Sequence, residues 1–163
     1  MTASERETIY REAVAILDGD GSAGMRLHRL CDYLRQCVSA YDWVGFYLVV
    51  PGERLLVLGP FAGEPTEHLR IEFGRGICGQ AAERKETFVV DDVQTQSNYL
   101  SCSVKVRAEI VVPVFHAGQV VGEIDIDSHS VSPFTEHDRA LLEALALVVA
   151  PLVAQVAPSN SEG

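Results

Sequence analysis

Residues 110–127 constrain this chain more than any other stretch. Two apolar arms, 110–115 and 120–127, are joined by His116-Ala117-Gly118-Gln119. Valine, isoleucine and phenylalanine fill the arms and a glycine sits in the connection, which is the pattern of a β-hairpin. The second arm alternates. Gly122, Ile124 and Ile126 fall on one face, and Glu123, Asp125 and Asp127 fall on the other, because strand side chains alternate with period two. Such an acidic row has two readings. It is a solvated face, or it is the floor of a pocket, with Cys102 in the loop-like segment upstream as a nucleophile above it.

The rest of the chain supplies layers for that hairpin. Residues 4–17 read as a helix, opened by a Ser4/Glu7 capping box and carrying Ile9, Ala13, Val14 and Leu17 at helical spacing. A second helix spans 22–39, with Leu27, Leu30, Cys31, Leu34 and Val38 as its apolar stripe. Cys31 belongs to that stripe and reads as core, and Cys37 is read the same way. Residues 43–50 and 54–58 form a second hairpin across Pro51-Gly52. On its first strand, Trp43 and Tyr47 flank Gly45, leaving either a packed core face or a notch between aromatic walls.

A Gly/Pro-rich loop follows at 59–69, then a short extended piece at 71–73. The turn Gly74-Arg75-Gly76-Ile77-Cys78-Gly79 enters a short helix whose N-terminus offers backbone N–H groups. It lacks the lysine of a P-loop. A thiol at a helix start is placed to have a lowered pKa, which is the expectation for Cys78. Residues 86–90 read as a strand and 94–103 as a loop. Thr135 caps a strongly apolar last helix, with Pro151 marking a kink or boundary. Hairpins in succession with helices at both ends imply an α+β fold, a central antiparallel sheet flanked by N- and C-terminal helices.

Composition narrows the classes. The 163 residues suit one domain, and 47% apolar content supplies a core. The expected division is a single domain over 1–156 and a disordered tail over 157–163. A net charge of −10 argues against a nucleic-acid partner. The apolar run near 145–153 reads as too short for a bilayer, and the charged N-terminus lacks a secretory signal, so the expectation is a cytoplasmic protein without a membrane partner. The four cysteines form no Cys-x-x-Cys pair, which speaks against structural zinc; in a reducing compartment they would be catalytic or redox-active.

Five stretches, taken together and in order, carry a resemblance. They are Asp42-Trp43-Val44-Gly45-Phe46-Tyr47-Leu48, Leu58-Gly59-Pro60-Phe61-x-Gly63, Phe73-Gly74-Arg75-Gly76-Ile77-Cys78-Gly79, Glu109-Ile110-Val111-Val112-Pro113-Val114 and Ile124-Asp125-Ile126-Asp127-Ser128. Over roughly residues 10–155 the chain resembles the free methionine-(R)-sulfoxide reductases, which are single GAF (PAS-like) domains. The resemblance implies a catalytic Cys102, a resolving Cys78 and a substrate pocket of Trp43, Tyr47, Glu109, Asp125 and Asp127. It also implies a Cys78–Cys102 disulfide recycled by a thioredoxin-like reductant, with no metal or organic cofactor. A homodimer is compatible with it. Where the family often has a further cysteine, this chain has His68, so Cys78 would close the disulfide alone. The chain also has Tyr99, Ser103 and Ala108 where the family commonly has His, Asp and Ser.

The residues suit that chemistry. A free zwitterionic substrate would set its ammonium against the carboxylates, its carboxylate against backbone N–H groups of 74–79 and 98–104, and its S-methyl group against Trp43. Thiolate attack at the sulfoxide sulfur needs an acid that is protonated near neutral pH. Clustered carboxylates provide one, because like charges push one pKa upward. Glu109 is the first candidate, with Asp125 or Asp127 sharing the proton. The alternative is a non-catalytic, small-molecule-binding sensor domain.

Overall fold

The computed structural model describes residues 1–96, 105–156 and 158. Cys102, and the expected tail at 157 and 159–163, lie outside the described residues. Among the described residues the order of elements is α1 (Ala3–Leu17), α2 (Ala23–Cys37), β1 (Trp43–Val49), β2 (Leu55–Ala62), β3 (Arg70–Glu72), α3 (Gly76–Arg84), β4 (Phe88–Val90), a 3₁₀ turn (Val93–Thr95), β5 (Ala108–His116), β6 (Gln119–Ser128) and α4 (Glu136–Val156). The strands form one antiparallel sheet in the order β3-β2-β1-β6-β5-β4. The α+β reading holds.

The hairpin at the centre closes as its sequence implies. His116 pairs with Gln119, and Ala117 and Gly118 both take positive φ, 52° and 78°. Two positive φ values in a two-residue loop match the right-handed twist of the flanking strands. β6 then lies between β5 and β1, so the acidic row occupies the middle of the sheet.

One face of the sheet carries Val44, Phe46, Leu48, Ile110, Val112, Ile124 and Ile126, and it packs on α2 and α4, on which α1 packs in turn. Cys31 is buried in this core, as its helical spacing implies. Cys37 is not: it ends α2 exposed, because the stripe through Leu34 has rotated away by that position. The opposite face holds a smaller core under α3, made of Trp43, Tyr47, Leu56, Ile71, Ile77, Ala81 and Val111 among others.

Several boundaries differ from the sequence reading. The first helix starts one residue earlier, capped by Thr2 with Glu5 rather than Ser4 with Glu7. β2 runs on through Gly59-Pro60, where a loop is expected. Gly45 pairs with Phe61 and Tyr47 with Leu58, so β2 carries one extra residue opposite Phe46. A bulge tolerates proline and glycine, which explains why turn-like residues sit inside a strand. Pro151 lies within α4, which continues to Val156; Leu147, whose carbonyl loses its partner there, is exposed to solvent. At 21 residues α4 is long and apolar enough to cross a membrane by length and composition, contrary to the sequence estimate, but Leu141, Leu142, Leu145 and Val149 are buried in the sheet-side core. Its first turn is held by Asp138, which accepts from the Thr135 N–H and hydroxyl at 2.8 Å each and from the Tyr41 hydroxyl at 2.5 Å.

Candidate active site

The register of three strands puts the expected pocket residues side by side. Asp127 pairs with Trp43 on β1 and Glu109 on β5; Asp125 pairs with Gly45 and Val111; Glu123 pairs with Tyr47. All these side chains therefore point to the α3 face of the sheet. Of the two readings of the acidic row, the solvated face is overturned. Glu109, Glu123, Asp125 and Asp127 are 5%, 0%, 4% and 3% exposed. They are covered by α3 and by the segment between β2 and β3.

A narrow pocket of about 20 Å³, room for roughly one water, opens onto this floor. Trp43, Tyr47, Cys78, Glu109, Asp125 and Asp127 all line it, so every expected site residue within the described part of the chain is brought together. The aromatic walls are held by their polar tips. Trp43 Nε1 donates to the Glu64 carbonyl at 2.9 Å, and the Tyr47 hydroxyl donates to the His68 carbonyl at 2.8 Å. Trp43 also stacks on Phe61, with ring centroids 5.5 Å apart and planes 17° from parallel.

Gly45 makes this wall. A Cβ there would lie 2.4 Å from Trp43 Cη2 and 2.9 Å from Phe61 Cβ. The indole thus rests directly on the backbone at Gly45, beside Asp125. Gly45→Ala is expected to cost about 1–3 kcal/mol through overpacking and to push Trp43 off its seat. Trp43 is the single tryptophan, so a red-shifted emission maximum with a lower urea midpoint would report it directly. An unchanged emission spectrum would mean that the ring does not depend on this contact.

Cys78 sits in the first turn of α3, and its Sγ donates to Glu109 Oε2 at 3.7 Å. The expectation of a lowered pKa is corrected. Burial pushes this thiol well above its ordinary value of 9.0, and the charges of Asp125, Glu123, Glu109 and Asp127 push it the same way. Four carboxylates outweigh the partial positive charge of one helix end. Asp125 is also raised from its ordinary 3.8 by burial, partly offset by hydrogen bonding to Glu109 and Cys78 and by the His68 charge.

The sequence pattern does not mark every residue of the pocket. Thr66 and His68, from the segment after β2, and Arg75 at the start of α3 also line the pocket. In the sequence His68 stands out only as the residue in place of a cysteine, and Glu123 belongs to the acidic row but not to the expected pocket. It lies beneath the floor, fully buried, and neither of its carboxylate oxygens has a hydrogen-bond partner. Burial raises its pKa well above the ordinary 4.5, as does the charge of Asp125; contact with the Cys78 thiol works the other way.

Comparison with known proteins decides the family. A GAF-domain family model matches residues 26–154. The free methionine-R-sulfoxide reductase of Escherichia coli is 33% identical over 137 residues, spanning 84% of this chain and 81% of that protein. The chain is a member of the GAF-domain family, in its free methionine-R-sulfoxide reductase branch. Solved structures agree. That of the Neisseria meningitidis free methionine-R-sulfoxide reductase in complex with its substrate is 31% identical, with a TM-score of 0.87, over 95% of this chain and 94% of that one. A type II free methionine-R-sulfoxide reductase from Thermoplasma acidophilum is 38% identical, with a TM-score of 0.80, over 84% of this chain and 96% of that one. The GAF domain described here thus carries the pocket at the face of β1, β5 and β6 that α3 covers.

Proposed function

We propose that this GAF domain reduces free methionine-(R)-sulfoxide to methionine in the pocket beneath Trp43. The observation that carries the proposal is the buried set of Glu109, Asp125 and Asp127 with Cys78 on one pocket wall, in a chain of the reductase branch. The enclosed, acid-floored site suits the ammonium of a free amino acid, and the first turn of α3 suits its carboxylate. A peptide-bound sulfoxide lacks both termini, which favours the free form.

In the proposed cycle the Cys102 thiolate attacks the sulfoxide sulfur. The Glu109/Asp125 pair protonates the sulfoxide oxygen, which then passes to the Cys102 sulfur as the transient sulfur–sulfur bond breaks, so that methionine leaves and Cys102 becomes a sulfenic acid. The Cys78 thiol then condenses with it, forming the disulfide and releasing water. A dithiol reductant of the thioredoxin type takes up the oxidation by exchange, returning both thiols. The raised pKa of Cys78 keeps it a thiol until the sulfenic acid forms, which protects it from earlier side reactions.

The test follows NADPH consumption with thioredoxin and its reductase on free methionine-R-sulfoxide. The expected result is turnover in the wild type, none in Cys102→Ser, and a single turnover with poor recycling in Cys78→Ser. A wild type that binds the amino acid but consumes no NADPH would favour the sensor reading instead.

A further inference from the structure

We propose that Cys78, Glu109 and Asp125 form a binding site for a thiophilic divalent cation of the zinc class. One donor atom from each of the three lies within 4.8 Å of the other two, and all three residues are buried. The spacing suits a metal as well as a proton. A tetrahedral ion bonded at about 2.3 Å to sulfur and about 2.1 Å to oxygen holds those two atoms roughly 3.6 Å apart. Cys78 Sγ and Glu109 Oε2 are 3.7 Å apart.

A second observation points the same way. Asp125 lines the pocket, is 4% exposed, and its Oδ1 has no hydrogen-bond partner. A buried carboxylate oxygen without a partner is costly, and a cation beside it removes that cost. Glu123 adds to the demand from beneath, with both oxygens buried and without hydrogen bonds.

The donor set selects the metal. One thiolate with two carboxylates disfavours Mg²⁺ and Ca²⁺, which take oxygen ligands, and suits Zn²⁺ or Co²⁺. Three protein donors leave a fourth position for water, facing the pocket. On binding, Cys78 enters as thiolate and its proton leaves to solvent, with no change of oxidation state. The metal is a competitor rather than a cofactor: it ties up the thiol and two acids of the pocket, so metal and sulfoxide exclude each other. That consequence rests on the reductase reading; the metal site itself does not.

Cobalt tests it. Reduced, metal-free protein titrated with Co²⁺ is expected to develop a near-ultraviolet thiolate-to-cobalt charge-transfer band at one equivalent, bleached by excess Zn²⁺. Cys37→Ser should keep the band and Cys78→Ser should lose it. Asp125→Asn should keep a band but weaken binding at least about tenfold, or about 1.4 kcal/mol. Free methionine sulfoxide should raise the cobalt concentration needed for half-saturation. No band in the wild type, or a band that survives Cys78→Ser, would overturn the site. A band in a protein inert toward the sulfoxide would support the site while sinking the reductase reading.

Discussion

Glu123→Met is expected to make the protein more stable at pH 8, by about 1–4 kcal/mol, although it removes a residue from the centre of the sheet. The magnitude is that seen when a buried charged group is replaced by an apolar one of similar volume. Glu123 is fully buried, carries no hydrogen bond on either oxygen, and faces Asp125 and the Cys78 thiol. Its folded pKa is raised, so the folded state holds its proton where the unfolded chain has lost it. The sign follows from linkage. Stability from such a group is complete below the unfolded pKa, near 4.5, and is lost as pH rises toward the folded value. Within that window the loss is about 1.4 kcal/mol per pH unit.

Asp125 is shifted in the same direction and also favours mild acid, whereas the shift of Cys78 bears on stability only above its ordinary value of 9.0. Comparing wild type with Glu123→Met isolates one member. Urea denaturation in metal-free buffer at pH 5, 6.5 and 8 should show a stability gap in favour of the variant that widens with pH. A variant less stable at every pH, with no change in slope, would mean that Glu123 has a polar partner in solution and that the account is wrong.

Asp125→Asn and Glu109→Gln are each expected to lower kcat/KM for free methionine-R-sulfoxide by about 100- to 10,000-fold, the usual worth of a positioned general acid. Both substitutions keep the side-chain shape and remove an ionisable group from the proposed proton donor. They should also lower the pKa of Cys78, because the Asp125 charge follows burial among its causes and the Glu109 charge contributes as well. The two effects run in opposite directions. Turnover falls while alkylation of Cys78 by iodoacetamide, read by peptide mass mapping, becomes faster at fixed pH. A residue that only holds the fold would lower the first without this change in the second. Equal turnover in wild type and both variants would remove Glu109 and Asp125 from the proton-delivery step.

The pocket was partly legible because strand periodicity is a local rule. Glu123, Asp125 and Asp127 share a face by counting, and so do Trp43, Gly45 and Tyr47. Their convergence depends on β6 pairing with both β1 and β5, and the apolar hairpin at 110–127 already implied one of those pairings. Local reading failed where distant segments compete with local chemistry. Gly59-Pro60 has the composition of a turn, yet the pairing with β1 absorbs it as a bulge. Cys78 stands at a helix start, yet four acids from β5 and β6 reverse the expected pKa. Cys37 was read as core beside the stripe of α2, yet it is the last residue of that helix and stands off the buried face, exposed.

The chain's own order of residues determined the elements and the face on which each side chain stands, because backbone geometry repeats every two residues in a strand and every 3.6 in a helix. Whether the acidic face met water was a different matter. That depended on α3 and the segment carrying Thr66 and His68 closing over β6 from elsewhere in the chain. Burial is set by what packs above a residue, and only the tertiary structure brings that cover into place; it turned a row of carboxylates into a buried site beside a thiol.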